Sequence, residues 1–557
     1  MKTRLLVIGG LIVYIVSSVV YDQVRYFLVQ KKANKKLKHR NSKTVLVEVP
    51  RTSKYVLSLS AQEIACSSIP SQEILNTYIH RVLKVARPLN LTAEEPFEDA
   101  LSRLDSLPKG LLYKVPISFK DEIFQENCTS SGGVTWRLDE VNVFDSILVK
   151  LLRDQGAVPF VRGNAMQLMM WIETTNNIYG TSLNPWDPTR TPGGSSGGDA
   201  GLVASRCTPL AIGSDIAGSV RIPSAFCGVY GFKPGSYRVS YKECAGCYPD
   251  GDLIEELIRP SYGPMGRSVE DLALVLRSWW VPQLWEHDPY VFPLVFDEQQ
   301  YQSTEKLKIG YFEYNEVFEC AEVVKNVVRD SKDKLEQQGH TLVPFDTSMI
   351  RKGVELCLRV FMCMGGSHTL EGLQGERPAW PYFADWLESK VPFVSSLLLK
   401  LLDFSGHHQL AYLLNVPSSV SVSELNELVQ EISEFKNQFI ENWRIQGLDC
   451  VISPVWGLVA PQHTKTQMVI ASLSYCFLWN LLDFPAGVVP VKLVEKGEDH
   501  YTSSLSDKVV EEAQCIMEGS VGLPVCLQVV SLPNKDETAL KLMKALESTY
   551  NFHKYPL

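Results

Sequence analysis

The chain has no excess of positive charge: 54 lysines and arginines stand against 63 aspartates and glutamates, a formal net charge of −9. That balance gives no electrostatic footing for a phosphate backbone, so no nucleic-acid partner is expected. The 13 cysteines have no framework spacing, which argues against a disulfide scaffold and for a reduced compartment. The lone CxxC, Cys244-Ala245-Gly246-Cys247, lacks the second pair a metal site needs and reads as a loop feature. The ten histidines form no motif that marks a triad partner. No Gly-Lys-Ser/Thr follows the glycine-rich stretch, which excludes a phosphate-binding loop. Internal repeats and low-complexity blocks are also missing from the 557 residues, whose length suits one large α/β unit or two to three average domains.

What is present from residue 60 onward is an alternation of strand and helix signals. Val115, Ile117 and Phe119 alternate with Ser118 and Lys120 as in a strand. Asp145 to Gln155 predicts a helix closed by Gly156, followed by the strand-like Ala157 to Val161. Glu322 to Gln338 predicts a second, closed by Gly339 before a strand at Thr341 to Phe345. Leu425, Leu428, Val429, Ile432, Phe435, Phe439 and Trp443 predict a third, ended by Gly447 ahead of Val451-Ile452. The pattern is that of an α/β fold with a central sheet covered by helices.

Two segments are apolar in a different way. Leu5 to Tyr21 is a run of 17 apolar residues, near the lower limit for crossing a bilayer. Lys31, Lys32, Lys35, Lys36, Lys38, His39 and Arg40 follow it, against Lys2 and Arg4 before it, which places the C-terminal flank in the cytosol. The reading is a transmembrane anchor over 1–29, a basic juxtamembrane segment and linker over 30–60, and the main domain over 61–557. A cleaved signal peptide is the alternative. The chain is therefore expected to be an integral membrane protein of the endoplasmic reticulum or another endomembrane, its domain facing the cytosol. Within 391–416, Val394, Leu397, Leu398, Leu401 and Leu402 share one helical face, which fits either a buried helix pair or an amphipathic helix lying in the membrane interface.

The chemistry sits in two serine-rich turns and a lysine. The turns are Pro192-Gly193-Gly194-Ser195-Ser196-Gly197-Gly198 and Gly213-Ser214-Asp215-Ile216-Ala217-Gly218-Ser219-Val220-Arg221, with Val115 to Asp121 upstream. Glycines beside Ser195 let the backbone approach a substrate closely. A hydroxyl nucleophile needs a base, and Lys120 at a strand end is the candidate. A lysine can take that role only where burial disfavours its charged form. The G-x-S-x-G match around Ser195 is not a nucleophile elbow, because three prolines between Asn184 and Pro192 preclude the strand an elbow must follow. Cys227 lacks a His or Asn motif to activate it and reads as a small buried residue. Asp215 and Arg221, bracketing the second turn, read as a structural pair.

These segments resemble the amidase signature family of serine hydrolases, whose base is lysine. The spacing agrees, with Ser195 and Ser219 24 residues apart and Lys120 75 before Ser195. The likeness runs from about residue 55 to the C-terminus through Gly180 to Trp186, Phe226 to Pro234, Asp483 to Gly487 and Gly522-Leu523-Pro524. It is greatest toward the family's membrane-bound, fatty-acid-amide-cleaving branch. The resemblance implies a large, twisted, mixed sheet and assigns Ser219 as nucleophile, Ser195 as proton shuttle and Lys120 as base. It implies an oxyanion hole from the N–H groups of Ile216, Ala217, Gly218 and Ser219, and a substrate contact at Met169. Ala217 stands where the family usually has glycine, which makes it strained if its φ is positive. The resemblance also implies fatty-acid amides as substrates, no metal or cofactor, a membrane-binding cap at 391–416, and a possible homodimer. An amidase of short or amino-acid amides and a non-catalytic lipid-amide binding protein are the alternatives.

Overall fold

All five residues of β1 (Pro116–Lys120) are buried, Ser118 and Lys120 included, although alternation of apolar and polar residues is the usual mark of a half-buried strand. The reason is position: β1 lies inside a wide sheet with helices packed on it. A computed structural model describes residues 26–38, 40–41, 53–246, 253–382, 394–415 and 420–556. After β1 come β2 (Val158–Gly163), β3 (Thr175–Asn176), β4 (Gly180–Thr181), β5 (Leu210–Asp215), β6 (Tyr230–Lys233), β7 (Ser261–Gly266), β8 (Lys308–Tyr311), β9 (Thr341–Pro344), β10 (Cys450–Pro454), β11 (Ala486–Leu493) and β12 (Pro524–Ser531). β3 and β4 form a small separate pair. The other ten make one sheet in the order β2-β1-β5-β7-β6-β11-β12-β10-β8-β9. It is mixed: β2-β1-β5 and β10-β8-β9 run parallel, and the intervening pairs are antiparallel.

The predicted elements form where their caps specify. The helix Ile147–Asp154 starts at Ser146, whose hydroxyl accepts from the Val149 N–H. Glu322–Gln337 ends before Gly339 and leads into β9. Val422–Gln446 opens with a capping box between Ser421 and Glu424 and closes on Gly447 in the left-handed conformation. Its Leu428, Ile432, Phe435, Phe439 and Trp443 are buried. Gly197–Ala204 packs on β1, β2 and β5, and Asp536–Tyr550 on β11 and β12.

The expectation of an integral membrane protein with an N-terminal transmembrane helix is corrected. Among the described residues no helix is long and apolar enough to cross a membrane. The apolar run Leu5 to Tyr21 lies outside the described residues. The part of the expected anchor that is described, 26–29, opens a helix over 26–38 rich in lysine. Two of its lysines pair with the domain surface: Lys32 Nζ with Asp139 at 2.6 Å, and Lys36 with Glu94, Lys36 also donating to Thr129 Oγ1 at 3.0 Å. Arg40 Nη1 donates to the Thr92 carbonyl at 2.5 Å. In the 391–416 stretch, Val394–Phe404 and His408–Leu414 are helices packed on each other.

Candidate active site

Strand β1 delivers Lys120 to its C-terminal end, opposite Gly163 of β2, and Arg162 Nη2 donates to the Lys120 carbonyl at 3.2 Å. The Lys120 side chain is fully buried. Its Nζ donates to Ser195 Oγ at 2.8 Å and to Ser214 Oγ at 2.7 Å. Ser214 belongs to β5, the other neighbour of β1, so two adjacent strands hold the lysine and one of its partners. A second buried lysine, Lys233, is pushed down to about 8 by burial and by the nearby Arg221. Its Nζ donates to the Pro234 carbonyl and to neither serine.

Ser195 sits in a turn that only glycine permits. A Cβ on Gly194 would lie 2.2 Å from the Glu173 carbonyl oxygen. The neighbouring Ser196 faces away from Lys120. Its Oγ donates to the Ser214 carbonyl at 3.3 Å, and its N–H donates to the Ser219 carbonyl at 3.3 Å.

The second turn is built around Asp215 and Arg221, which pair as the sequence suggested. Arg221 Nε donates to Asp215 Oδ2 and Nη2 to Oδ1, both at 2.9 Å. Asp215 also accepts from the N–H groups of Gly218 (2.7 Å), Val220 and Arg221, and from Asn480 Nδ2 at 2.9 Å. Burial alone would raise the Asp215 carboxyl, but Arg221, Lys233 and Asn480 together hold it well below the usual carboxylate range. Arg221 is anchored in turn by Asn480 Oδ1, Gln528 Oε1 and the Cys476 carbonyl. This network wraps the turn and directs its N–H groups. Of the four expected oxyanion donors, the Gly218 N–H is engaged by Asp215, while those of Ile216, Ala217 and Ser219 have no acceptor among the described residues. Ala217 is not among the residues with positive φ; Gly218 is, at +122°. The strain expected of alanine therefore does not arise, and the position that needs glycine is the next one.

Ser195, Ser214 and Ser219 open onto one cavity of about 140 Å³, lined also by Glu122, Met169, Ile216, Tyr241, Cys244, Glu255 and Tyr262. No hydrogen bond joins Ser219 Oγ to Ser195 Oγ, although both border the same space. Met169, predicted as a substrate contact, lies on the wall with φ +60°, next to Leu168 at +56°. Two such residues cost on the order of 1–3 kcal/mol each and mark sites where geometry serves function. Cys244 of the CxxC motif also reaches the cavity, whereas Cys247 lies outside the described residues. Cys227 is buried, its Sγ donating to the Pro192 carbonyl at 3.4 Å.

Sequence reasoning missed Ser214, Glu122 and Asp199. Asp199, in the first turn of Gly197–Ala204, accepts from Ser118 Oγ at 2.7 Å, and its Oδ2 has no partner. Burial raises its carboxyl from 3.8 to about 7, opposed by Ser118 and Lys120. Asp121, beside Arg162, is likewise raised by burial to about 7. A folded-state value above the unfolded one favours the folded state while the group is protonated. The contribution is whole below about 3.8 and is lost as pH rises through about 7. Asp199→Asn is expected to flatten the dependence of stability on pH across that window, Asp121 leaving a residual slope. Denaturant unfolding at a series of pH values checks this, and an unchanged slope refutes it.

A family model described as Amidase matches residues 73–540. Fatty-acid amide hydrolase 1 of Sus scrofa is 34% identical over 504 residues, covering 87% of this chain and 84% of the relative. The Caenorhabditis elegans fatty acid amide hydrolase 1 is 28% identical over 506 residues, covering 87% and 86%. Among solved structures, a fatty acid amide hydrolase superposes with a TM-score of 0.76 at 20% identity, covering 95% of this chain and 96% of that one. A 6-aminohexanoate cyclic dimer hydrolase superposes with a TM-score of 0.70 at 20% identity, covering 90% and 99%. At those identities the superpositions speak to the fold.

Proposed function

The chain belongs to the amidase family, and on that premise we propose that it hydrolyses fatty-acid amides to a fatty acid and an amine through Ser219, Ser195 and Lys120. One observation carries the reading: a fully buried lysine lies 2.8 Å from the Oγ of Ser195, and Ser195 lines one cavity with Ser219. Ser219 Oγ attacks the amide carbon as its proton passes to Ser195 Oγ, whose own proton passes to Lys120 Nζ. The carbonyl π pair moves to oxygen and is received by the N–H groups of Ile216, Ala217 and Ser219; losing one such donor typically costs about a hundredfold or more in rate. The oxyanion then collapses, the C–N bond breaks, and the proton returns from Lys120 through Ser195 to the leaving amine. Water repeats the sequence on the acyl-enzyme and releases the acid.

The fatty-acid preference draws on the 34% identity to a fatty-acid amide hydrolase. A rival reading, hydrolysis of short amides, draws on the cavity: about 140 Å³ is below the ~300 Å³ at which drug-sized sites begin. Labelling with a fluorophosphonate probe, competed by amides of graded chain length, separates the two. Protection that strengthens with chain length supports the proposal, and protection by short amides alone overturns it.

A long acyl chain partitions into lipid at about 0.8 kcal/mol per buried CH₂, so an enzyme of this specificity gains by working at a bilayer surface. Within Val394–Phe404, Leu401 is 53% exposed and Phe404 91%, an arrangement suited to shallow insertion among headgroups. Replacing both by glutamate is expected to release the protein from lipid vesicles in flotation, while a short, water-soluble amide is still cleaved. Undiminished flotation of the double variant would remove this segment from any role at the lipid surface.

A further inference from the structure

Two residues past the lysine, Glu122 is 3% exposed and borders the cavity that holds the three serines. Its Oε1 lies 3.3 Å from Lys120 Nζ and has no hydrogen-bond partner. The adjoining loop of Cys244 and Ala245, which also lines the cavity, fixes its backbone, the Ala245 N–H donating to the Glu122 carbonyl at 2.8 Å. Lys120 Nζ thus donates to Ser195 Oγ and Ser214 Oγ and has Glu122 Oε1 within ion-pairing distance, a contact that is not a hydrogen bond. Of these three neighbours only Glu122 is a carboxylate.

We propose that Glu122 is a positioning residue that acts through Lys120, its carboxylate holding the ammonium created when the proton of Ser195 arrives. This rests on the Ser219, Ser195 and Lys120 reading given above. The chemical need is plain: proton transfer from a hydroxyl to a fully buried amine leaves a cation out of water, and an unpaired buried cation is costly. Glu122 is the one carboxylate within ion-pairing distance of the Nζ among the described residues. The other charged or titratable groups nearby are engaged elsewhere. Asp199 is bonded to Ser118, Asp121 lies against Arg162 and Ser131, and Cys244 and Tyr262, which line the same cavity, are pushed up by burial and supply no counter-charge. The arrangement gives a lysine base what an aspartate gives the histidine of a serine–histidine–aspartate triad, a fixed counter-charge that takes no proton itself.

The test compares Glu122→Gln and Glu122→Asp with the wild type in the full chain, using the anilide of a long-chain fatty acid and a fluorophosphonate. Glutamine keeps the shape and removes the charge; aspartate keeps the charge on a shorter stem. Glu122→Gln is expected to lower kcat by about tenfold or more with KM within about twofold, and to slow labelling in parallel, since the same proton transfer precedes both. Glu122→Asp is expected to recover part of the loss. A rise in KM with kcat intact would make Glu122 a substrate contact and overturn the proposal. Wild-type kcat in the glutamine variant would overturn it too, and so would equal loss in both variants with a lowered melting temperature. A wild-type chain that neither turns over the anilide nor labels would instead overturn the reading of the site.

Discussion

Ser219→Ala is expected to abolish amide hydrolysis and fluorophosphonate labelling together, on the order of 10⁴-fold or more in kcat. Ser219 is the hydroxyl at the mouth of a turn whose N–H groups at 216, 217 and 219 are free to receive an oxyanion, and the Asp215–Arg221 pair holds that turn in shape. On the proposed mechanism, removing the oxygen leaves the oxyanion donors and the base with nothing to activate. Ser195→Ala, which removes the hydroxyl that Lys120 Nζ bonds to, is expected to cost about 10²–10³-fold. Ser196→Ala removes a hydrogen bond to the Ser214 carbonyl and should leave activity within about tenfold of wild type. Steady-state rates on one fatty amide rank the three. If Ser195→Ala proves milder than Ser196→Ala, the shuttle has been misplaced.

Lys120→Ala is expected to suppress the neutral-pH rate by about 10²–10⁴-fold, the span general base catalysis commands. The residual rate should climb steeply as hydroxide becomes available to do what the amine did. Because the side chain is wholly buried on a strand paired with both β2 and β5, Lys120→Met serves as the companion that keeps the stem and loses the amine. Both variants should melt near the wild type or modestly below it. A Lys120→Met enzyme with a near-normal rate and an unchanged pH profile would refute the mechanism, and Lys233 would be the next base to consider.

Local signals carried further along this chain than long-range ones. Helix boundaries fell within a few residues of expectation because their punctuation is local: Ser146, the Ser421–Glu424 capping box, Gly447. Lys120, Ser195 and Ser219 were legible because their spacing matches a family, and Asp215 with Arg221 because they bracket one turn. Ser214 was visible in its motif but gained its meaning only from the pairing of β1 with β5. Asn480 and Gln528 could not be read at all, since each meets the turn from more than 250 residues away. Glu122 sat beside the lysine in sequence, yet nothing in its neighbours told that it would be buried. The basic cluster misled for a related reason. Charge counting sees lysines and not the carboxylates they will meet, and Lys32, Lys36 and Arg40 meet theirs, or a carbonyl, on the domain.

That docking bears on where the gene can be cut. Lys36 lies over Glu94, and Glu94 also accepts from the Thr129 N–H at 2.8 Å while its carbonyl receives the Arg162 N–H at 2.9 Å. Arg162 is the residue whose guanidinium supports the carbonyl of Lys120. A shortened expression clone that starts at residue 61, where the sequence analysis opens the main domain, removes the cation from one end of a chain of contacts that terminates at Lys120. A start codon placed ahead of residue 26 keeps that chain whole.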